Sequence, residues 1–105
     1  MKSVGVKISV VKAFSKEDVF GDDVPEDLSS TQSRCGRHRP GEVFIAEGSD
    51  SPEGLCPWAY ADIFRDVVIL WRGIDFPWVG KPGVMYSSCT DGRTPVVFKL
   101  ERIED

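Results

Sequence analysis

Ser51 to Trp71 reads SPEGLCPWAYADIFRDVVILW, and how this stretch folds decides the architecture of the rest. It carries the one long helical pattern and two of the three tryptophans. Ser51-Pro52-Glu53-Gly54 reads as a single capped turn. Pro57 then suits the first position of a helix, where its missing N–H has no partner to lose. Tyr60, Ile63, Phe64, Val67 and Trp71 recur at helical spacing and predict one apolar stripe, with Asp62, Arg65 and Asp66 on the outer face. Trp71 is assigned to the core. Arg72 and Gly73 supply the expected stop. Val67 to Trp71 is apolar all round, which predicts a buried helix end.

Strand signals flank this helix. Val4, Val6, Ile8 and Val10 alternate with small or polar residues, the period of a half-buried strand. Glu42 to Ala46 is a short strand without clear alternation, which suggests burial on both faces. Val84–Cys89 and Val96–Ile103 read as two strands around Thr90-Asp91-Gly92-Arg93. Asp-Gly invites a two-residue hairpin. That register would put Pro95 where a ladder N–H is needed, so a four-residue loop is expected. Four strands and one main helix, without strict strand–helix alternation, predict an α+β fold. The sheet is expected to be small, antiparallel or mixed, with the helix across one face.

Two connections stand out. Residues 15–33 crowd six acidic side chains around Gly21 and Pro25 and read as a solvated loop, with one helical turn near Pro25–Leu28. A loop of this length is mobile or functional. It lacks the spacing of an EF-hand, so a solvated face is preferred to a cation site. Gly73 to Gly83 is punctuated by Gly and Pro yet carries Phe76 and Trp78, the composition of a lid over a core.

With 105 residues, the chain is expected to form one domain. Its net charge of −4 argues against a nucleic-acid partner, because phosphate neutralisation needs a basic surface. No apolar run suits a membrane span or a signal peptide, so a soluble, cytoplasmic protein is expected, with no membrane partner. Three cysteines without a secretory leader do not suggest a disulfide framework.

Several strings recur as a set: Cys35-x-x-His38 followed by Pro40-Gly41-Glu42-Val43-Phe44; Pro52-Glu53-Gly54-Leu55-Cys56-Pro57-Trp58-Ala59; Asp75-Phe76-Pro77-Trp78; and Cys89-Thr90-Asp91-Gly92-Arg93-x-Pro95-Val96-Val97-Phe98-Lys99-Leu100-Glu101-Arg102. Together they resemble a family of short, uncharacterised conserved proteins of bacteria and archaea. The resemblance covers most of the chain from Arg34 onward and the opening strand. The longer acidic loop before Cys35 departs from that pattern. The family has no established activity, so the resemblance implies no function.

The residues themselves leave three function classes open. Cys35 and His38 form a close pair, and Cys56 and Cys89 follow at element ends; a turn pair plus two distant ligands is how tetrahedral metal sites are assembled. Cys35, His38, Cys56 and Cys89 are thus the candidate ligands, with zinc ahead of an iron–sulfur cluster and no nucleotide cofactor indicated. Against this stands separate burial of three small apolar side chains. The second class is metal-free thiol chemistry at Cys56, where the positive end of the helix favours a thiolate and His38 is the one available base. The third is a structural or partner-binding module, including a homo-oligomer with the aromatic loop as its interface. Trp58, Trp78 and Arg37 are candidates to line a small-ligand pocket, although a solvated turn is the preferred reading of the Arg34, Arg37 and Arg39 cluster.

Overall fold

The computed structural model describes residues 3–105. Strand β1 (Ser3–Ala13) is followed by a short helix α1 (Lys16–Phe20) and a 3₁₀ turn at Glu26–Leu28. Then come β2 (Val43–Ala46), the main helix α2 (Pro57–Trp71), β3 (Val84–Ser88) and β4 (Val96–Glu104). The four strands form one antiparallel sheet in the order β2-β1-β4-β3. Among the described residues, no helix is long and apolar enough to cross a membrane. The α+β expectation, a small sheet with one main helix on one face, is the architecture observed.

β1 is central because its alternation presents Val6, Ile8 and Val10 to the same side, where all three are buried. They meet Phe98 and Leu100 of β4, partners in register with Val10 and Ile8. α2 covers this face with Ala59, Tyr60, Ile63, Val67 and Leu70. Val4 is exposed because the pairing with β4 shifts between Ser3 and Gly5, and a bulge of this kind turns a side chain to the other face. Gly5 is required by proximity: a Cβ there would stand 3.0 Å from the carbonyl oxygen of Ala46.

The helix runs the full predicted length, but its buried stripe is rotated from the one the spacing suggests. Leu70 is fully buried, Trp71 is only half-buried, Phe64 is exposed and Asp66 is buried. Several faces of residues 67–71 are apolar, so turning the helix exchanges one apolar contact for another at little cost, and the sheet chooses the face. Trp71 lies at the helix edge beside Gly48, not over the sheet centre. Asp66 is moved inward by the same rotation, with the Arg65 Nε at 3.4 Å.

The helix ends as expected, with Gly73 at φ +85°, and a side chain reinforces that end. Arg102 of β4 donates from Nη1 to the carbonyls of Leu70 and Ile74, and from Nη2 to Asp75 Oδ1 at 2.6 Å. Asp75 also accepts from the Gly83 amide, which closes the aromatic loop on itself. Phe76 turns into the core as a lid residue should, whereas Trp78 rests edge-on against it and stays exposed.

Three segments differ from expectation. β2 is an edge strand with clear alternation: Val43 and Ile45 face out while Ala46 is buried, so it is not covered on both faces. The acidic loop contains α1, opened by a capping box in which the Ser15 hydroxyl accepts from the Asp18 amide and Asp18 accepts from the Ser15 amide. Buried Lys16 then donates to the carbonyls of Leu28, Ser29 and Thr31, folding the acidic segment round one ammonium. The β3–β4 connection is longer than four residues, because β3 stops at Ser88 and the loop is held by Asp91.

Leu70→Ala is expected to lower stability by about 2–5 kcal/mol, the usual range for a fully buried leucine. Trp71→Ala should cost less. Urea denaturation of the two variants checks the helix rotation, and the reverse order would restore Trp71 to the centre of the core.

Candidate functional site

Three segments distant in sequence meet at the N-terminal end of α2. The first is the turn carrying Cys35 and His38, between the acidic loop and β2. The second is the helix start at Cys56. The third is the hairpin loop from Cys89 to Thr94. They enclose a cavity of about 400 Å³, lined by all three cysteines and by His38, Trp58, Asp91 and Arg93, among others. All three thiols are free and half-buried.

His38 holds the first segment to the second. Its ring is buried, edge-on to Phe44 at 5.4 Å and Phe98 at 6.0 Å. Nε2 accepts from the Cys56 backbone amide at 3.0 Å. An imidazole nitrogen that accepts carries no proton, so Nδ1 bears the hydrogen and donates it to Glu42 Oε1 at 2.9 Å. Glu42 also accepts from the Arg39 amide. The hydrogen bond from His38, then that from Arg39, holds the Glu42 carboxyl below its usual range.

Helix and hairpin are latched at the cavity rim. Asp62 Oδ2 accepts from both the amide and the hydroxyl of Thr90, at 2.7 and 2.9 Å. The Thr90 oxygen in turn accepts from Trp58 Nε1 at 3.1 Å. Within the hairpin, Asp91 accepts from the Arg93 amide, Nε and Nη2 and from the Thr94 hydroxyl. The Arg93 side chain is the main reason the Asp91 carboxyl is pushed down to about 2.

The three sulfurs are not equivalent. Cys35 Sγ accepts from the Arg37 amide at 3.4 Å, and Cys89 Sγ accepts from the Val96 amide at 3.3 Å. Cys56 is the N-cap residue of α2, directly before Pro57, and its side chain makes no capping hydrogen bond. Among the described residues, its sulfur is the one left without a hydrogen-bonding partner.

In this geometry His38 bridges the Cys56 amide and the Glu42 carboxyl. Both its ring nitrogens are committed in this arrangement. Among the described residues, no group of three or more His, Cys, Asp or Glu side chains is disposed to hold a metal ion. Cys35, His38, Cys56 and Cys89 all line the one cavity. Of the other pocket candidates, Trp58 lines the cavity while Trp78 and Arg37 do not. Arg37 takes part through its backbone, on Cys35. The roles of Thr90, Asp91 and Arg93 were not anticipated as site chemistry; the CTDGR string marked a turn, and only the fold turns that loop toward Cys56.

In comparisons with known proteins, no family model, no curated protein and no solved structure matches this chain. The site is therefore read from its own geometry.

His38→Leu keeps the apolar contacts but strands the Cys56 amide. It should cost about 1–3 kcal/mol, the penalty of an unsatisfied partly buried donor, and a parent-like urea midpoint would show the bond to be dispensable. Acid should act on the same region. Asp91 and Glu42 have ordinary values of 3.8 and 4.5 and are lowered in the fold. Each therefore contributes stability that is complete above its ordinary value and is lost as the pH falls through the lowered one. The urea midpoint is expected to drop between pH 4.5 and 2, and Asp91→Asn to flatten the segment below 3.8. An unchanged slope in that variant would remove Asp91 from the account.

Proposed function

We propose that the protein is a metal-free, thiol-dependent binding protein whose reactive group is Cys56, with the cavity at the start of α2 as its ligand site. One observation carries this reading: three free thiols from separate segments line one cavity, and Cys56 alone has a sulfur without a hydrogen bond. The position suits a nucleophile. The sulfur sits at the positive end of a four-turn helix, and a cavity of this size admits a small molecule. Cys35 and Cys89 shape the wall, each bonded to a backbone amide. His38 serves as a positioning residue that fixes the Cys56 backbone.

The test is one variant and one reagent. Serine is a good N-cap residue, so Cys56→Ser is expected to keep the parent's melting behaviour. Iodoacetamide should modify Cys56 of the folded parent faster than Cys35 or Cys89, measured by peptide mass spectrometry. Loss of bound zinc together with stability in Cys56→Ser would replace this reading with a structural metal site. Slow alkylation of Cys56 in the folded parent would make it a packing residue in a structural or partner-binding module.

A further inference from the structure

We infer that the cavity selects small anionic electrophiles, with Arg93 receiving the anionic group while Cys56 attacks the electrophilic carbon. This rests on the thiol reading above and names the class of ligand that reading leaves open. At about 400 Å³, the cavity lies toward the small end of ligand pockets and suits a small molecule.

The charge at the rim comes from Arg93. It spends Nε and Nη2 on Asp91, while Nη1 makes no hydrogen bond among the described residues, and the side chain is 55% exposed. Asp91 spends both oxygens on Arg93 and Thr94. What the pair offers the cavity is therefore the unspent edge of a guanidinium, whose planar donors suit a carboxylate.

The remaining walls agree with that assignment. No side chain caps the start of α2, so the helix dipole there adds to the attraction. Trp58 is 64% exposed yet tied through Nε1 to Thr90, which fixes an apolar surface beside the cavity. The nearby carboxylates keep their charge but aim their oxygens elsewhere, Asp62 at the Thr90 amide and hydroxyl and Glu42 at His38 and the Arg39 amide, so selectivity rests on the direct bond from Arg93.

The chemical step is a displacement. The Cys56 sulfur, its proton released to solvent, forms an S–C bond, and the bond from that carbon to the leaving group breaks with its electron pair leaving as an anion.

Iodoacetate and iodoacetamide deliver the same carbon and lose the same iodide, but only the first is negatively charged. At an unfolded thiolate the neutral reagent has the advantage, because like charges repel. The rate ratio of iodoacetate to iodoacetamide is measured at Cys56, in the folded protein and in urea, by peptide mass spectrometry. We expect folding to raise this ratio roughly three- to tenfold, the scale of one focused charge in a cleft. Arg93→Gln should return it to the unfolded value, Arg93→Lys should keep part of the gain, and Arg37→Gln should leave it unchanged. A folded ratio equal to the unfolded one, with Cys56 still fast to iodoacetamide, would overturn the anion selectivity and leave the thiol reading standing. A gain that survives in Arg93→Gln, or vanishes in Arg37→Gln, would also overturn it. Cys56 unreactive to both reagents would end both inferences together.

Discussion

A buried imidazole with both nitrogens engaged is the constraint on which this site depends. His38 must accept the Cys56 amide on one side and donate to Glu42 on the other. Aromatic rings from β2 and β4 pack against it in T-shaped contact. A neutral imidazole offers one donor and one acceptor on the same rigid ring. The turn, the sheet and the start of the helix are therefore positioned by a single group. Cys56 is held at a fixed place on the cavity wall as a consequence.

The far end of the helix is fastened by different chemistry to the same effect. Arg102 reaches from β4 to the last helical carbonyls and to Asp75. A cation is favourable at a helix C-terminus, where carbonyl oxygens lack amide partners. With a neutral acceptor at one end and a cation at the other, α2 is fixed in both position and rotation. This is why an amphipathic pattern with several apolar faces still settles on one of them. Lys16 uses similar chemistry in the acidic segment, where its ammonium gathers the carbonyls of Leu28, Ser29 and Thr31.

The thiols acquire different characters from these fixtures. Two sulfurs stand where a backbone amide points at them, and the third stands at a helix start that no side chain caps. A sulfur without a donor is the one most available to a ligand in the cavity. The hairpin completes the site by carrying Arg93 to the rim on a loop that Asp91 folds tightly. Charge and nucleophile therefore come from elements far apart in sequence.

The sequence by itself determined the elements: the period of two in β1, Pro57 and Gly73 at the limits of α2, and the strand pair around the CTDGR string. These signals are local, since each rests on backbone constraints or side-chain periodicity within a few residues. The capping box of α1 was also legible, as Ser15 followed three residues later by Asp18, but the surrounding acidic residues masked it. What only the tertiary structure decided was the rotation of α2, the exposure of one face of β2, and the partner of His38. A helix with several apolar faces carries no local record of which one the sheet will take. Nor does a Cys-x-x-His string show whether the imidazole will meet a metal or a backbone amide, because that amide arrives from a segment placed by the packing of the whole chain.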